Sequence, residues 1–202
     1  MIPGGFVKKS RSLCLVFVWM ILPTLAHALS FRPLIGLNAE FGGDRLLTVI
    51  YTDGSKSDVF AGQGFSVFGG AAAEGLIDLN PITIDLQATL GVKYSTISQA
   101  SNANVDFFRF PAELLIFGHW MGLRLGAGPT FHFANSLSGN GVLSNANVNF
   151  NDALGVVAQL DYTFGGHWNL GVRYTSISYQ APSVGISRTD ASNFGVEFSY
   201  FL

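Results

Sequence analysis

The sequence predicts an all-β fold, an eight-stranded antiparallel up-and-down transmembrane β-barrel. Three observations lead to this prediction: an N-terminal export signal, a series of segments in which apolar and polar residues alternate, and a final segment that alternates to the last residue. Successive side chains of a strand point to opposite faces, so each such segment has one apolar and one polar face. A transmembrane barrel places lipid against the apolar faces and encloses the polar ones.

The final segment, residues 193–202, shows this alternation to the C-terminus without a polar tail. It resembles the C-terminal assembly signal of bacterial outer-membrane proteins, which alternates apolar and aromatic residues and usually ends in Phe. This chain ends instead in Leu202, with Phe201 just before it. The residues predicted to form the lipid face and the assembly signal are Phe194, Val196, Phe198, Tyr200 and Leu202.

The first 28 residues are predicted to be a signal peptide rather than part of the fold. Three cations precede an apolar run at 13–25, and Ala26-His27-Ala28 fits the small-x-small cleavage rule, so cleavage is expected after Ala28. A retained anchor is the alternative, but a spanning helix needs ~20 apolar residues. The barrel domain is therefore predicted over residues 29–202, with no thiol left after removal of Cys14.

The composition and charge of the chain after cleavage restrict the class of protein further. Cleavage leaves 202 − 28 = 174 residues, and the loss of three cations gives a formal charge of 8 − 13 = −5. This balance argues against nucleic acid as a partner, because no basic stripe remains to neutralise phosphates. No apolar run after Ala28 reaches the length of a membrane helix, although the chain is rich in apolar residues. A β-barrel fits both facts.

The first half of the chain contains four alternating segments. Residues 33–41 begin at a proline, which suits a strand start because it lacks a backbone donor. A long excursion at 42–62 contains Asp53-Gly54 between β-prone runs, which predicts a projecting hairpin. Residues 63–74 form the second predicted strand. After a turn at 78–81, residues 82–95 alternate most regularly of all, and a polar stretch at 98–104 leads to the fourth strand around 108–116.

The second half repeats this organisation. Gly118-His119 is predicted to turn into a fifth strand at 120–133, and the Asn-, Ser- and Gly-rich stretch 134–149 is predicted to be a loop. The sixth strand is expected at 150–164, and Gly165-Gly166-His167 turns into the seventh at 168–177. A polar loop at 178–190 precedes the closing strand.

Connection lengths alternate, since long loops follow the first, third, fifth and seventh predicted strands and short turns follow the others. This arrangement predicts that the long loops lie outside the cell and that both termini lie in the periplasm. Trp120 and Trp168 each follow a short turn and are expected in a periplasmic aromatic belt. Phe107, Phe108, Phe131 and Phe133 are expected in the outer girdle and on the lipid face.

Strand number, loop alternation and the terminal strand together resemble the small outer-membrane barrels of the OmpA, OmpX and opacity-protein type. The resemblance covers the whole mature chain in architecture, and that superfamily shares a pattern rather than a catalytic signature. It implies a bacterial outer-membrane location and a structural or surface-interaction role through four outer loops. Outer-membrane lipids including lipopolysaccharide, and the barrel assembly machinery, are the expected partners, while the sequence does not identify a ligand of the loops.

The polar faces carry charges of both signs. An eight-stranded barrel is just wide enough for its own side chains to fill it, so these charges are expected to pair across the lumen. A narrow channel is the alternative, which needs a continuous polar path. The predicted lumen network consists of Glu40, Asp85, Lys93, Arg109, Glu113, Arg124, Asp161, Arg173 and Glu197.

One histidine raises the possibility of an enzyme. His132-Phe133-Ala134-Asn135 partly resembles the His-x-Ser-Asn motif of PagL-type lipid A deacylases, in which the histidine activates a serine. Ala134 occupies the serine position, and the register turns His132 inward, away from lipid, so the motif lacks its nucleophile–base pair. His119 and His167 lie too far apart in sequence to indicate a metal cluster. The sequence therefore predicts no metal or cofactor and leaves His132 as the sole catalytic candidate.

Overall fold

The barrel strands form because residues of alternating polarity separate a lipid-facing wall from an interior. The computed structural model describes residues 30–50, 54–100, 103–141 and 147–202, with the backbone alone at 97–100 and 103. The predicted signal peptide lies outside these residues. The elements are β1 (Ser30–Phe41), β2 (Arg45–Ile50), β3 (Lys56–Phe60), β4 (Gly64–Asp78), β5 (Thr83–Ala100), β6 (Ala103–Trp120), β7 (Leu123–Gly141), β8 (Val148–Asn149), β9 (Ala153–Phe164), β10 (Trp168–Ser176), β11 (Ser178–Ala181), a 3-10 turn (Pro182–Val184), β12 (Ile186–Asp190) and β13 (Asn193–Phe201).

Eight of these strands close into one antiparallel barrel. Their order around the wall is β1, β4, β5, β6, β7, β9, β10 and β13, and β13 pairs again with β1. Each strand lies beside its neighbours in sequence among the barrel strands, so the topology is up-and-down. The predicted fold class is confirmed. No helix in the described ranges is long and apolar enough to cross a membrane.

The alternation of the closing strand produces the expected two faces. In β13, Phe194 is 70% exposed whereas its neighbour Asn193 is 2% exposed. The exposed row continues through Val196, Phe198 and Leu202, and β1 shows the same pattern opposite it. Large apolar side chains that point outward from every barrel strand form a continuous apolar wall.

The turn after β6 lies further along the chain than predicted. Gly118 and His119 pair with Leu125 and Arg124 and are strand residues. The turn is made by Met121 and Gly122, with φ of 50° and 85°. A two-residue hairpin needs positive φ at its centre, and Gly122 supplies this conformation. Trp120 therefore ends β6 instead of opening the next strand.

Two stretches predicted to be loops are largely strand. Most of the polar stretch 98–104 continues β5 and β6, and the first part of 134–149 continues β7 to Gly141. Ala134 has a φ of 50°, and the ladder between β6 and β7 shifts register between Phe108 and Phe110. This bulge absorbs the break in the pattern and lets pairing resume beyond it. The three strands project past the rest of the barrel.

We call the end with these projections the loop end and the opposite end, which carries the short turns and both described termini, the turn end. At the loop end β2 pairs with β3, which confirms the predicted hairpin, although Asp53 lies outside the described residues. The stretch 178–190, predicted to be a polar loop, contains a second hairpin of β11 and β12. Both hairpins pack over the barrel mouth.

Candidate functional site

The half of the lumen nearer the loop end contains an ion-pair cluster around Arg173, which extends to the middle of the barrel. This side chain lies 3.4 Å from Glu40 and 3.2 Å from Glu197, and it also hydrogen bonds to Glu113. Lys93 approaches Glu40 from the other side, with 2.6 Å between Nζ and Oε2. All five side chains are largely or fully buried. The strands that supply them are β1, β5, β6, β10 and β13, so the cluster ties together much of the wall.

A second cluster lies nearer the turn end, around Arg124. Its Nη1 is 3.4 Å from Asp161 Oδ2, and its Nη2 donates to Gln87 Oε1 at 3.1 Å. The guanidinium also covers the ring of Phe117 at 4.1 Å. The amide of Gln159 donates to both oxygens of Asp161 at 3.0 Å. Asp161 is therefore held by a cation and an amide at once, which is what a buried carboxylate requires.

Two members of the predicted network have partners of a different kind. Arg109 is fully buried, yet among the described side chains no carboxylate lies within ion-pair distance of it. It donates instead to two backbone carbonyls of the first loop, Ala61 at 2.7 Å and Gln63 at 2.6 Å. Asp85 accepts from the backbone of Gly75 at 2.9 Å, and within the described ranges His119, 3.9 Å away, is the one potential cation at ion-pair distance. Sequence patterns cannot reveal backbone partners, which is why the expected pairing fails here.

The lumen near the turn end contains buried apolar side chains, which the expected polar interior did not include. Phe201 is buried inside together with Leu34, Phe68 and Ala72, and Phe117 lies nearby with Leu115 and Val157. The rings of both phenylalanines lie under the Arg124 guanidinium. The alternation in β13 could have indicated that Phe201 points into the lumen, because this residue falls on the same face as Glu197 and Ser199.

The loop end is covered by a second apolar core, which we call the loop cap. Its centre is aromatic, with ring centroids of Phe107 and Phe150 5.5 Å apart and that of Tyr179 6.1 Å from Phe107. The prediction that Phe107 belongs to the girdle is wrong, since it shares the inward face with Arg109. The buried members are Val49, Val59, Ala61, Val105, Phe107, Leu137, Phe150, Ala153, Ile177, Tyr179, Ala181 and Ala191.

Two buried cations of the lumen donate hydrogen bonds to backbone carbonyls of the loop cap. Lys93 donates to the carbonyl of Gly62 at 2.7 Å, between the two carbonyls that Arg109 binds. Three consecutive carbonyls, those of residues 61–63, thus accept from two buried cations. Hydrogen bonds to charged donors are worth about 1.5–3 kcal/mol each. The first loop is therefore anchored to the barrel interior.

His132 anchors the fourth loop in the same region. Its Nδ1 forms a 2.6 Å hydrogen bond with the hydroxyl of Tyr179, and both side chains are buried. Tyr179 lies beyond the barrel strands, where burial raises its pKa to about 12 despite the nearby Arg109. The phenol therefore keeps its proton at neutral pH. His132 faces the interior and Ala134 is exposed, so the deacylase-like motif brings no nucleophile to the histidine.

The remaining candidates are placed as follows. The predicted assembly residues lie on the outer face of β13, where Phe198 stacks on Trp168 with centroids 5.2 Å apart. His167, in the last turn, hydrogen bonds with the carbonyl of Phe201 at 2.9 Å. Within the part of the chain that the structure describes, no group of three or more His, Cys, Asp or Glu side chains could hold a metal ion.

The apolar outer wall, the closed strand order and the filled interior define a small transmembrane β-barrel of the outer-membrane class. The chain belongs to the family described as the outer membrane protein beta-barrel domain, whose model matches residues 12–200. It is accordingly a bacterial outer-membrane protein.

Comparison with solved structures gives distant similarities. The attachment invasion locus protein Ail of Yersinia pestis, in complex with the heparin analogue sucrose octasulfate, has 9% identity and a TM-score of 0.48, with 86% of this chain and 97% of that chain covered. A second structure of Ail gives 10% identity, a TM-score of 0.47 and coverage of 85% and 97%. OmpT, an outer membrane protein of Vibrio cholerae, has 12% identity and a TM-score of 0.27, with 87% of this chain and 52% of that chain covered. No curated protein sequence matches the chain.

Proposed function

We propose that this outer-membrane barrel is a surface-interaction protein whose loop end is a preorganised binding surface. The loop cap carries this proposal, because segments from all four connections at the loop end contribute to one buried aromatic and aliphatic core. The paired charges below it fill the lumen and support the cap. The ligand of this surface is left to experiment.

The physical argument concerns the cost of order. Fixing the backbone of each loop residue costs about 1–2 kcal/mol in conformational entropy. The loop cap offsets that cost within the protein, through buried side chains and the carbonyl contacts of Lys93 and Arg109. A surface that is already ordered loses less entropy when it binds a partner.

The proposed orientation places the loop end outside the cell and the turn end in the periplasm. The long connections at one end and the short turns at the other support it. The proposal includes export by a signal peptide cleaved after Ala28, insertion by the barrel assembly machinery through the β13 face, and a surrounding membrane that contains lipopolysaccharide. Cysteines at Asn140 and Ser183 should react with an impermeant thiol reagent on whole cells, whereas one at Gly166 should not. Equal reaction at both ends would contradict this orientation.

The lumen supports a filled barrel rather than the channel alternative. Arg173 and its three carboxylates span the middle, Phe201 and Phe68 occupy the turn end, and the loop cap covers the other end. We expect purified protein in a planar bilayer to carry little or no steady current. Reproducible single-channel steps from the wild type would favour the channel.

The function is tested by binding of intact cells to panels of immobilised extracellular proteins and polysaccharides. Cells that display the barrel should bind at least one surface that cells without it do not. Phe107→Ala should reduce this binding although it leaves every exposed loop side chain in place, because it loosens the core beneath them. Leu160→Ala on the outer wall is the matched control and should bind normally. Binding that persists in the Phe107 variant would contradict preorganisation, and binding to no surface would contradict the proposal itself.

A further inference from the structure

The projection at the loop end has an inner and an outer face. Its inner face packs into the loop cap, through side chains such as Val105, Phe107 and Leu137. Its outer face carries short amide, hydroxyl and carboxyl side chains instead of apolar ones. We call this surface the amide patch, and its members are Asn104 and Asp106 of β6, Ser136, Ser138 and Asn140 of β7, and Asn149 of β8.

The register places the members of the amide patch side by side. Asn104 pairs with Asn140 across β6 and β7, and Ser136 pairs with Asn149 across β7 and β8. Directly paired residues of an antiparallel sheet have Cβ atoms about 4.5–5.5 Å apart. Successive members along each strand lie two residues apart and so share one face. The amide patch is therefore a continuous array of polar groups that a paired backbone holds in place.

Most groups of the amide patch are not used within the protein. Asp106 accepts a 2.6 Å hydrogen bond from the hydroxyl of Tyr94. The side chains of the other five members form no hydrogen bond with any residue that the structure describes. The three asparagines are exposed, and the two serines are half-buried. These donors and acceptors are available to a partner from outside the barrel.

The amide patch has a composition that does not favour strands, since Asn and Asp are depleted there and β-branched and aromatic residues are enriched. This composition is why the sequence predicts loops over 98–104 and 134–149. The inner face accounts for the strands, because Phe107 and Leu137 reach the loop cap from them. It does not account for the outer face, where threonine or tyrosine would support the same strands better. Positions that break a local rule in this way are expected at functional sites.

Charge restricts the chemical class of the ligand. The amide patch contains no cation, and its one charged group is the carboxylate of Asp106. Within the described ranges, the exposed cations of the loop end are Arg45, Lys56 and Arg188, which lie on the two hairpins and outside the patch. A sulfated polysaccharide, or the phosphorylated inner sugars of lipopolysaccharide, would meet a carboxylate here without a counter-charge. An anionic ligand is therefore disfavoured on this face.

The amide patch also lacks the side chains on which protein partners usually depend. Protein interfaces are anchored by Trp, Tyr and Arg, and none of these is a member of the patch. The rings of Phe107, Phe150 and Tyr179 are enclosed in the loop cap instead. Amide side chains both donate and accept hydrogen bonds, and so do hydroxyl groups. The hydroxyl groups of a neutral sugar have the same capacity, and they match this array.

We infer that the amide patch binds an uncharged polysaccharide outside the cell. The inference rests on the proposed function, because it names the ligand class of the loop end and needs that end to face outward. Asn104 lies four residues beyond Phe108 of the predicted girdle, which is about 13 Å along a strand. The patch thus stands above the membrane boundary, where a polysaccharide can reach it. Repeated sugar units bind through several weak contacts, so affinity rises with chain length.

The test compares saccharides that differ in charge. The purified protein is folded into phosphatidylcholine vesicles, checked for the heat-modifiable mobility of a folded barrel, and applied to surfaces coated with dextran, mannan or laminarin, which are neutral. Dextran sulfate is the matched polyanion, because it shares the dextran backbone. We expect binding to at least one neutral polysaccharide and little or none to dextran sulfate. Soluble fragments of the bound polysaccharide should compete, and longer fragments should compete better.

Two double variants separate the amide patch from the rest of the loop end. Asn104→Ala with Asn140→Ala removes one cross-strand pair of amides. It should weaken binding about ten-fold or more, because at least two hydrogen bonds are lost. Asn151→Ala with Gln180→Ala removes two exposed amides outside the patch and is the matched control, which should bind as the wild type does. Heat-modifiable mobility shows that each variant is folded.

Three results would overturn the inference. The first is failure to bind any of the three neutral polysaccharides. The second is stronger binding to dextran sulfate or to purified lipopolysaccharide, which would assign an anionic saccharide. The third is equal binding by the two double variants, which would place the contact elsewhere. Cells that bind an immobilised protein, while the purified barrel binds no polysaccharide, would support the proposed function and contradict this inference alone.

Discussion

The two ends of this barrel are closed by different means. At the turn end, strand side chains such as Phe201, Phe68 and Leu34 meet inside the wall. At the loop end, separate segments fold over the mouth, and Tyr179 and Phe107 meet there although they are far apart in sequence. The first closure follows from the register of the barrel itself. The second is a small folded unit that stands on the barrel and is held by Lys93, Arg109 and His132.

This difference implies that the two ends have different cooperativity. Closure at the turn end cannot be lost unless strand pairing is lost, because the residues that form it are strand residues. The loop cap can open while the wall stays closed, which makes it a candidate for local unfolding below the global free energy. The predictions below are designed to separate these two behaviours.

The largest effect on stability is expected for Arg173, which lies in the lumen between the two ends. Arg173→Ala removes the cation shared by Glu40, Glu113 and Glu197. Breaking a buried pair costs about 3–5 kcal/mol, because a charge is left without its partner. The urea midpoint of the barrel in vesicles should fall strongly. Arg188→Ala, in an exposed part of the fourth loop, is the control and should leave the midpoint unchanged. An Arg173 variant as stable as the wild type would show that the ion pairs do not support the wall.

The comparison itself is tested by one substitution at each end. Phe107→Ala and Phe201→Ala each delete a buried ring, which typically costs about 3–5 kcal/mol. In the loop cap the loss should appear as faster cleavage of the loops by added protease, with a heat-modifiable barrel retained. At the turn end it should appear as a lower urea midpoint, with cap cleavage unchanged. Identical behaviour of the two variants would mean that both ends unfold as one unit.

A smaller effect is expected for the link between the cap and the wall. Tyr179→Phe removes the hydroxyl that contacts His132 and keeps the ring in the aromatic core. The loss of one hydrogen bond costs about 1 kcal/mol, somewhat more if His132 Nδ1 is left unpaired. Hydrogen exchange of the fourth loop should accelerate. Tyr162→Phe on the lipid-facing wall should not change it.

The smallest effect concerns pH at the edge of the loop cap. The hydroxyl and the backbone N–H of Ser192 donate to Asp190 and lower the pKa of its carboxyl. Because the pKa of Asp190 is lower in the folded protein, its ionised carboxylate stabilises the folded loop at any pH above the ordinary pKa of about 3.9. This contribution is lost as the pH falls through the pKa of the folded state. A fluorophore at Ser183 should therefore report slightly looser loops in acid. Ser192→Ala should weaken this dependence, and an unchanged pH profile would show that the contact does not hold the loop.

Alternation in the sequence predicted the barrel because one apolar face is imposed on every strand by the membrane. The same rule predicted the outer face of β13 and the inward charges such as Arg173. It did not indicate the apolar part of the lumen, because the inward faces were expected to be polar. Phe107 was assigned to the outer girdle, although strand parity places both it and Phe201 inside. The turn after β6 was misplaced because Gly118-His119 has the composition of a turn, whereas the backbone conformation that Gly122 provides decides the position.

The loop cap could not be predicted for a different reason. Its contacts join residues far apart in the chain, such as Ala61 and Arg109, and the acceptors that Lys93 and Arg109 use are backbone carbonyls, which every residue carries. No residue pattern distinguishes a carbonyl that will meet a guanidinium. The Asn-, Ser- and Gly-rich composition of the loops indicated exposed turns, and the bulge at Ala134 that lets β7 continue has no local signal.

Anchoring through carbonyls has a consequence for how this protein can diverge. The side chain at position 63 could be exchanged without loss of the acceptor that Arg109 uses. Ala61 is confined because it is buried in the loop cap, and Gly62 is confined because a Cβ there would lie 2.6 Å from the carbonyl oxygen of Ala191. The sequences that face outward from the loops are thus separated from the machinery that fixes their position. Such a surface can be changed by mutation while the barrel below keeps its structure.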